Sequence, residues 1–217
     1  MARPRRTERI SLARIIQRMD SQEPGTPAKD TVPTGFPSID RVLGGGMRRR
    51  DLVVLGGDVG SGKSALALSI AIRSASAGVT VVFFSGEMDE DRIFERAMAI
   101  EGRTQVDRIR KAEISEETRS AIAAVALKLQ ELPLHIHPLV GRQFDDALAS
   151  AWPHKPQLIV VDYLQLLPPP SDKLTQKEDS AAALRALKAL ALERDVACLL
   201  VAQLPLHQAG RADPRPT

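Results

Sequence analysis

The stretch Leu52-Val53-Val54-Leu55-Gly56-Gly57-Asp58-Val59-Gly60-Ser61-Gly62-Lys63-Ser64 decides how the chain is read. Leu52–Leu55 is a short apolar run of the kind that forms a buried strand. Gly57-Asp58-Val59-Gly60-Ser61-Gly62-Lys63-Ser64 then matches G-x-x-x-x-G-K-[ST] at every position. The apolar periodicity that follows predicts a helix over Lys63–Ser76. A glycine loop between a strand and a helix lets backbone N–H groups turn inward around phosphate oxygens, and the helix N-terminus adds its partial positive charge. Lys63 has the reach for β- and γ-phosphates, and the Ser64 hydroxyl can ligate Mg²⁺.

Outward from the loop, strand and helix patterns alternate. Strands are predicted at Val79–Phe84, near Leu134–Ile136, at Leu158–Val161 and at Ala197–Val201. Helices are predicted around Asp91–Ala99, over Glu116–Leu132 with Ser115 as N-cap, around Asp145–Ala151 and over Ser180–Glu193. Each strand is almost continuously apolar, as required where both faces of a sheet are covered. The fold class is therefore α/β, a mostly parallel sheet with helices on both faces.

Composition bounds the function. With 217 residues, 43% apolar and 26% charged, the chain is the size and mix of one globular α/β domain. A single cysteine, Cys198, excludes an internal disulfide and a cysteine metal cage, which fits a reducing, cytoplasmic setting. No apolar run approaches the roughly 20 residues of a membrane-spanning helix, and no signal-peptide core is visible near the start, so no membrane association is expected. Overall there are 30 Lys+Arg against 27 Asp+Glu. Residues 1–18 hold six arginines (Arg3, Arg5, Arg6, Arg9, Arg14, Arg18) and one acid, Glu8, a charge of +5; the remainder carries 24 basic and 26 acidic side chains and is −2. The positive excess is thus a tail. Aromatic residues make up 3% of the chain, with Trp152 and Tyr163 single, too few for a base-stacking platform.

Three further polar residues end predicted strands. Asp162 closes Leu158–Val161, where a carboxylate beside a phosphate loop is placed to hold Mg²⁺, although an Asp there also reads as a cap or turn residue. Glu87 lies just past Val81–Phe84; it reads equally as the group that activates an attacking water and as an acid of the next helix's first turn. Gln203 follows Leu199–Ala202 and reads either as a γ-phosphate sensor or as an ordinary loop residue. All lie at strand carboxyl ends, where doubly wound sheets form their ligand crevice.

Thr34-Gly35-Phe36, Ile39-Asp40, the phosphate loop with Ala65-Leu66-Ala67-Leu68, and Phe84-Ser85-Gly86-Glu87-Met88 together resemble the motor domain of DnaB-type replicative helicases. Asp162-Tyr163-Leu164-Gln165-Leu166-Leu167, Leu187–Ala191 and Ala202-Gln203-Leu204 extend the resemblance, which covers about residues 33–204 in consistent order. It implies a RecA-like P-loop fold, ATP hydrolysis with Mg²⁺, and a homo-oligomer, a hexameric ring, around single-stranded DNA in replication. It also implies catalytic roles for Glu87 and Lys63, a magnesium acid in Asp162 and a γ-phosphate sensor in Gln203.

The chain departs from the family pattern in several places. Family members carry a helical domain ahead of the motor and continue to a DNA-contacting motif and an arginine finger, whereas this chain ends at Pro216-Thr217. Pro205-Leu206-His207 stands where small polar and basic residues are usual, and Arg48-Arg49-Arg50-Asp51 replaces a turn that places glycine before the aspartate. If that turn needs positive φ, Arg50 is strained by roughly 1–2 kcal/mol. An arginine finger supplies about 10³–10⁵ in rate, so a core without one should be slow unless a partner contributes it. A fragment of a longer helicase-like protein and a reduced stand-alone ATPase both fit. So do a RadA- or KaiC-like ATPase of the same fold and a nucleotide-binding assembly or loader module without turnover.

The expected organisation is a basic tail, amphipathic helix and Pro-rich linker over residues 1–32, then the ATPase domain over 33–217. Leu12, Ile15, Ile16 and Met19 line one face of the helix, which either docks on a neighbouring subunit or packs on its own domain. Four prolines and two glycines within residues 21–37 read as linker. The arginine tail can meet phosphate backbones or simply be solvated. The loop after Pro168-Pro169-Pro170 makes Lys173 and Lys177 candidate DNA contacts, beside the plainer reading of a surface loop. His135, His137, His154 and His207 have no metal-ligand spacing, and Trp152 reads as a core or edge anchor.

Overall fold

The computed structural model describes residues 16–17, 20–21, 28–139, 144–162 and 176–203. Most of the N-terminal helix, Tyr163, Lys173 and Pro205–His207 lie outside them, as does the Lys177 side chain.

Residues 31–48 form a small layer of their own. Strand β1 (Thr31–Val32) pairs antiparallel with β2 (Met47–Arg48), bracketing helix α1 (Pro37–Val42). The linker expected over residues 21–37 is therefore packed from Thr31 on: Val32 and Thr34 are buried, and Asp40 Oδ1 accepts from both the Thr34 N–H and hydroxyl. Pro37 starts α1 instead of breaking the chain, because a first-turn proline lacks only an N–H that the helix does not use.

The main sheet contains β3 (Leu52–Gly57), β4 (Val81–Ser85), β5 (Leu134–Pro138), β6 (Leu158–Asp162) and β7 (Ala197–Gln203), all parallel, in the order β3-β7-β6-β4-β5. The helices are α2 (Lys63–Ser76), α3 (Glu90–Glu101), α4 (Val106–Arg110), α5 (Glu116–Glu131), α6 (Phe144–Ala149) and α7 (Gln176–Arg194). Ser115 caps α5 as expected, its side chain accepting from the Thr118 N–H.

Alternate strand residues feed two cores. Val81, Phe83, Leu158, Val160, Leu199 and Val201 pack with α2, α3 and α5, while Val82, Phe84, Ile159, Val161, Cys198 and Leu200 pack with α6 and α7. Burial on both faces explains the unbroken apolar runs. Trp152 packs against the second core beneath the Arg194 guanidinium, 4.7 Å from its ring. Strand β3 lies at the edge, and Val54 in its middle is 50% exposed.

Arg50, in the turn entering β3, has φ 73°. Its N–H donates to Val196 O and its carbonyl accepts from Lys188 Nζ, both at 2.8 Å.

Candidate functional site

Parallel pairing puts the carboxyl ends of β3, β7, β6 and β4 along one edge of the sheet. Gly57 stands beside Gln203, and Ser85 beside Asp162. The chain leaves β3 through a loop in which Gly60 and Gly62 have φ of 76° and 88°. A Cβ at either would meet nothing within 4 Å, so the backbone angle, not crowding, demands glycine. Gly62 is the N-cap of α2, whose first N–H groups have no intrahelical acceptor. The Lys63 ammonium folds over the loop, donating to Asp58 O at 2.5 Å and Ser61 Oγ at 3.4 Å. Loop backbone, helix terminus and ammonium together present positive potential to one small volume.

That volume is a cleft of about 450 Å³ whose lining includes Val59, Gly60, Gly62, Lys63, Ser64 and Glu87, with Gln203 at its β7 wall. Gly57, Asp58 and Ser61 shape the loop without lining the cleft. Asp162 lies beneath it, 3% exposed, accepting from Ser64 Oγ at 3.1 Å. Burial pushes the Asp162 carboxyl above its ordinary range; the Ser64 hydroxyl, Arg96 and Lys63 oppose that, and Glu87 adds to it. A buried carboxylate joined to a hydroxyl at the mouth of a cation-lined loop is a donor set suited to Mg²⁺, which takes one or two protein oxygens and leaves the rest to phosphate and water. No group of three or more His, Cys, Asp or Glu side chains suited to a metal occurs among the described residues. His135 and His154 stack instead, with ring centroids 3.7 Å apart.

Arg96 completes the cleft, although it belongs to none of the motifs legible in the sequence. It sits on α3 between the buried Ile93 and Ala97, so periodicity places a cation toward the core side. Only the packing of α3 beside the loop turns that into a cleft position.

The model of the DnaB-like helicase C-terminal domain matches residues 31–217. The chain belongs to that family. The DnaB-like domain is 29% identical over 191 residues to the replicative DNA helicase DnaB of Geobacillus stearothermophilus, covering 85% of this chain and 42% of the relative. Against the DnaB of Leifsonia xyli subsp. xyli it is 26% identical over 215 residues, covering 97% and 46%. The chain thus spans less than half the length of these relatives. Among solved structures, a DnaB-like replicative helicase described with its primase interactions superposes with TM-score 0.85 at 24% identity, covering 95% of this chain and 52% of that one. A second solved structure, of an ATPase domain, gives 0.81 at 24% identity, covering 94% and 74%. These matches identify the DnaB-like sheet as RecA-like.

Proposed function

We propose that this chain is an ATP-binding and ATP-hydrolysing helicase motor domain that acts on single-stranded DNA in replication. The observation that carries the reading is the convergence, in one cleft, of the glycine loop, Lys63, the Ser64–Asp162 pair and Glu87.

In this reading the loop backbone from Gly57 to Gly62 and the Lys63 ammonium bind the triphosphate, and the ammonium exchanges Asp58 O for phosphate oxygens. Ser64 and Asp162 would hold Mg²⁺, which supplies neutralisation of phosphate charge. Glu87, on the wall of the same cleft, accepts a proton from the attacking water. Arg96 adds a second cation toward the terminal phosphate. Gln203, the register neighbour of Gly57, reports γ-phosphate occupancy to β7. The expected boundary moves to Thr31, where β1 begins, so the motor unit extends over residues 31–217, preceded by the basic tail and linker. It works as a homo-oligomer, a hexameric ring, in the cytoplasm. No helix among the described residues is long and apolar enough to cross a membrane.

The test is ATP hydrolysis with and without single-stranded DNA, beside Lys63→Ala and Glu87→Gln. Lys63→Ala should lose MgATP binding, while Glu87→Gln should keep binding and lose about 10²–10⁴ in turnover. Binding without turnover in the parent would replace this reading with a nucleotide-binding module.

A further inference from the structure

We propose that Ser85 is the positioning residue for Glu87, a role that rests on the reading of Glu87 as the water-activating group. Ser85 is the last residue of β4 and is 1% exposed. Its hydroxyl does two things at once: it accepts from the Met88 N–H at 3.1 Å and donates to the Met88 carbonyl at 2.6 Å. Both backbone polar groups of Met88 therefore end on one buried side chain. At the other end of the turn, the Gly86 N–H donates to Asp162 O at 2.7 Å, tying the loop to β6. The Ser85 carbonyl accepts from the Leu139 N–H at 2.8 Å, holding the strand tip from the β5 side.

Glu87 stands between these two anchors, and its carboxylate accepts no hydrogen bond among the described residues. Its position relative to Lys63 and Ser64 is consequently set by its backbone. Beyond Met88 the chain enters α3 through Asp89, which caps it by accepting from the Arg92 N–H. The loop is thus closed by the Ser85 hydroxyl on one side and by the capped helix on the other. Because Ser85 is also the register partner of Asp162, the turn bearing the proposed water-activating group is referenced directly to the strand bearing the proposed metal acid. Catalytic geometry of this kind is sensitive: about 1 Å of misplacement costs on the order of 10²-fold in rate. Groups that orient a reacting side chain from behind contribute about 10–100-fold.

The experiment uses the whole chain with Ser85→Ala, Glu87→Gln and the double variant, and Ser85→Cys as a near-isosteric second replacement should alanine impair folding. Ser85→Ala should lower kcat about 10–100-fold with the MgATP Kd within about twofold of the parent. The double variant should be no slower than Glu87→Gln alone, because a residue that acts only through Glu87 has nothing left to position. Amide hydrogen exchange, which needs no turnover, should rise at residues 86–88 while Val82–Phe84 keep their protection. Unchanged exchange at 86–88, multiplicative losses in the double variant, or weakened MgATP binding at unchanged kcat would each overturn the proposal. If Glu87→Gln is slow but Ser85→Ala is as fast as the parent, the proposal alone falls. If Glu87→Gln hydrolyses like the parent, the reading of Glu87 falls and takes the proposal with it.

Discussion

Replacing Arg50 with glycine should stabilise the protein, and the structure allows the size of the gain to be worked out. At φ 73° a residue with a Cβ is strained by roughly 1–2 kcal/mol against the following carbonyl. The conformation is held in place from outside, because the Arg50 N–H is bonded to Val196 O and its carbonyl to Lys188 Nζ, which also meets Asp51 Oδ1 at 2.8 Å. None of these bonds uses the Arg50 side chain, so they survive its removal. Glycine relieves the Cβ strain but adds unfolded-state freedom worth about 0.4–1 kcal/mol. The net gain is about 1 kcal/mol, or about 2–4 °C in Tm for a chain of this size. Thermal melts of Arg50→Gly and Arg50→Ala isolate the effect, since both lose the exposed guanidinium and only alanine keeps the Cβ. Arg50→Gly should melt above both Arg50→Ala and the parent. A glycine variant melting at or below the alanine variant would refute the strain argument.

Two further outcomes follow from the packing. Asp162 keeps its proton more tightly folded than unfolded, because burial raises its folded pKa, so its contribution to stability falls as pH rises from the ordinary carboxylate range through that raised value. Asp162→Asn in Mg²⁺-free buffer should therefore gain Tm over the parent at about pH 8 more than at about pH 4; a difference that is constant or reversed with pH would count against the buried-charge account. Gly35→Ala should lower stability by about 2 kcal/mol or more, since φ there is 74° and the new Cβ would stand 2.4 Å from Arg73 Cβ. That arginine donates to Gly35 O and covers the Phe36 ring, so circular dichroism melts should show a loss of several degrees; a parental Tm would contradict the crowding of α2 against this turn.

The cleft and the sheet differ in how much of them can be read in one dimension. The loop Gly57–Ser64 is legible because its requirements are local: positive φ at Gly60 and Gly62, and a cation and hydroxyl opening the next helix. Strands β4, β6 and β7 are legible because burial on both faces leaves no polar alternation. Even the strain at Arg50 is foreseeable, since a turn needing positive φ is a property of its own dihedrals. Helix α1 and the β1–β2 pair stay hidden, the strands being only two residues long and shorter than any usable period.

What no local pattern carries is which element stands beside which. Ser64 and Asp162 are 98 positions apart, and their hydrogen bond exists only because β7 is inserted between β3 and β6 in a common parallel register. Arg96 enters the cleft, and Ser85 closes the turn of Glu87 against β6, through the same long-range placement. Hydrophobic periodicity records that a face is buried but not what buries it. Chain chemistry alone therefore marks out the glycine loop and the strand-tip acids, while the three-dimensional order of the strands brings them within reach of one another.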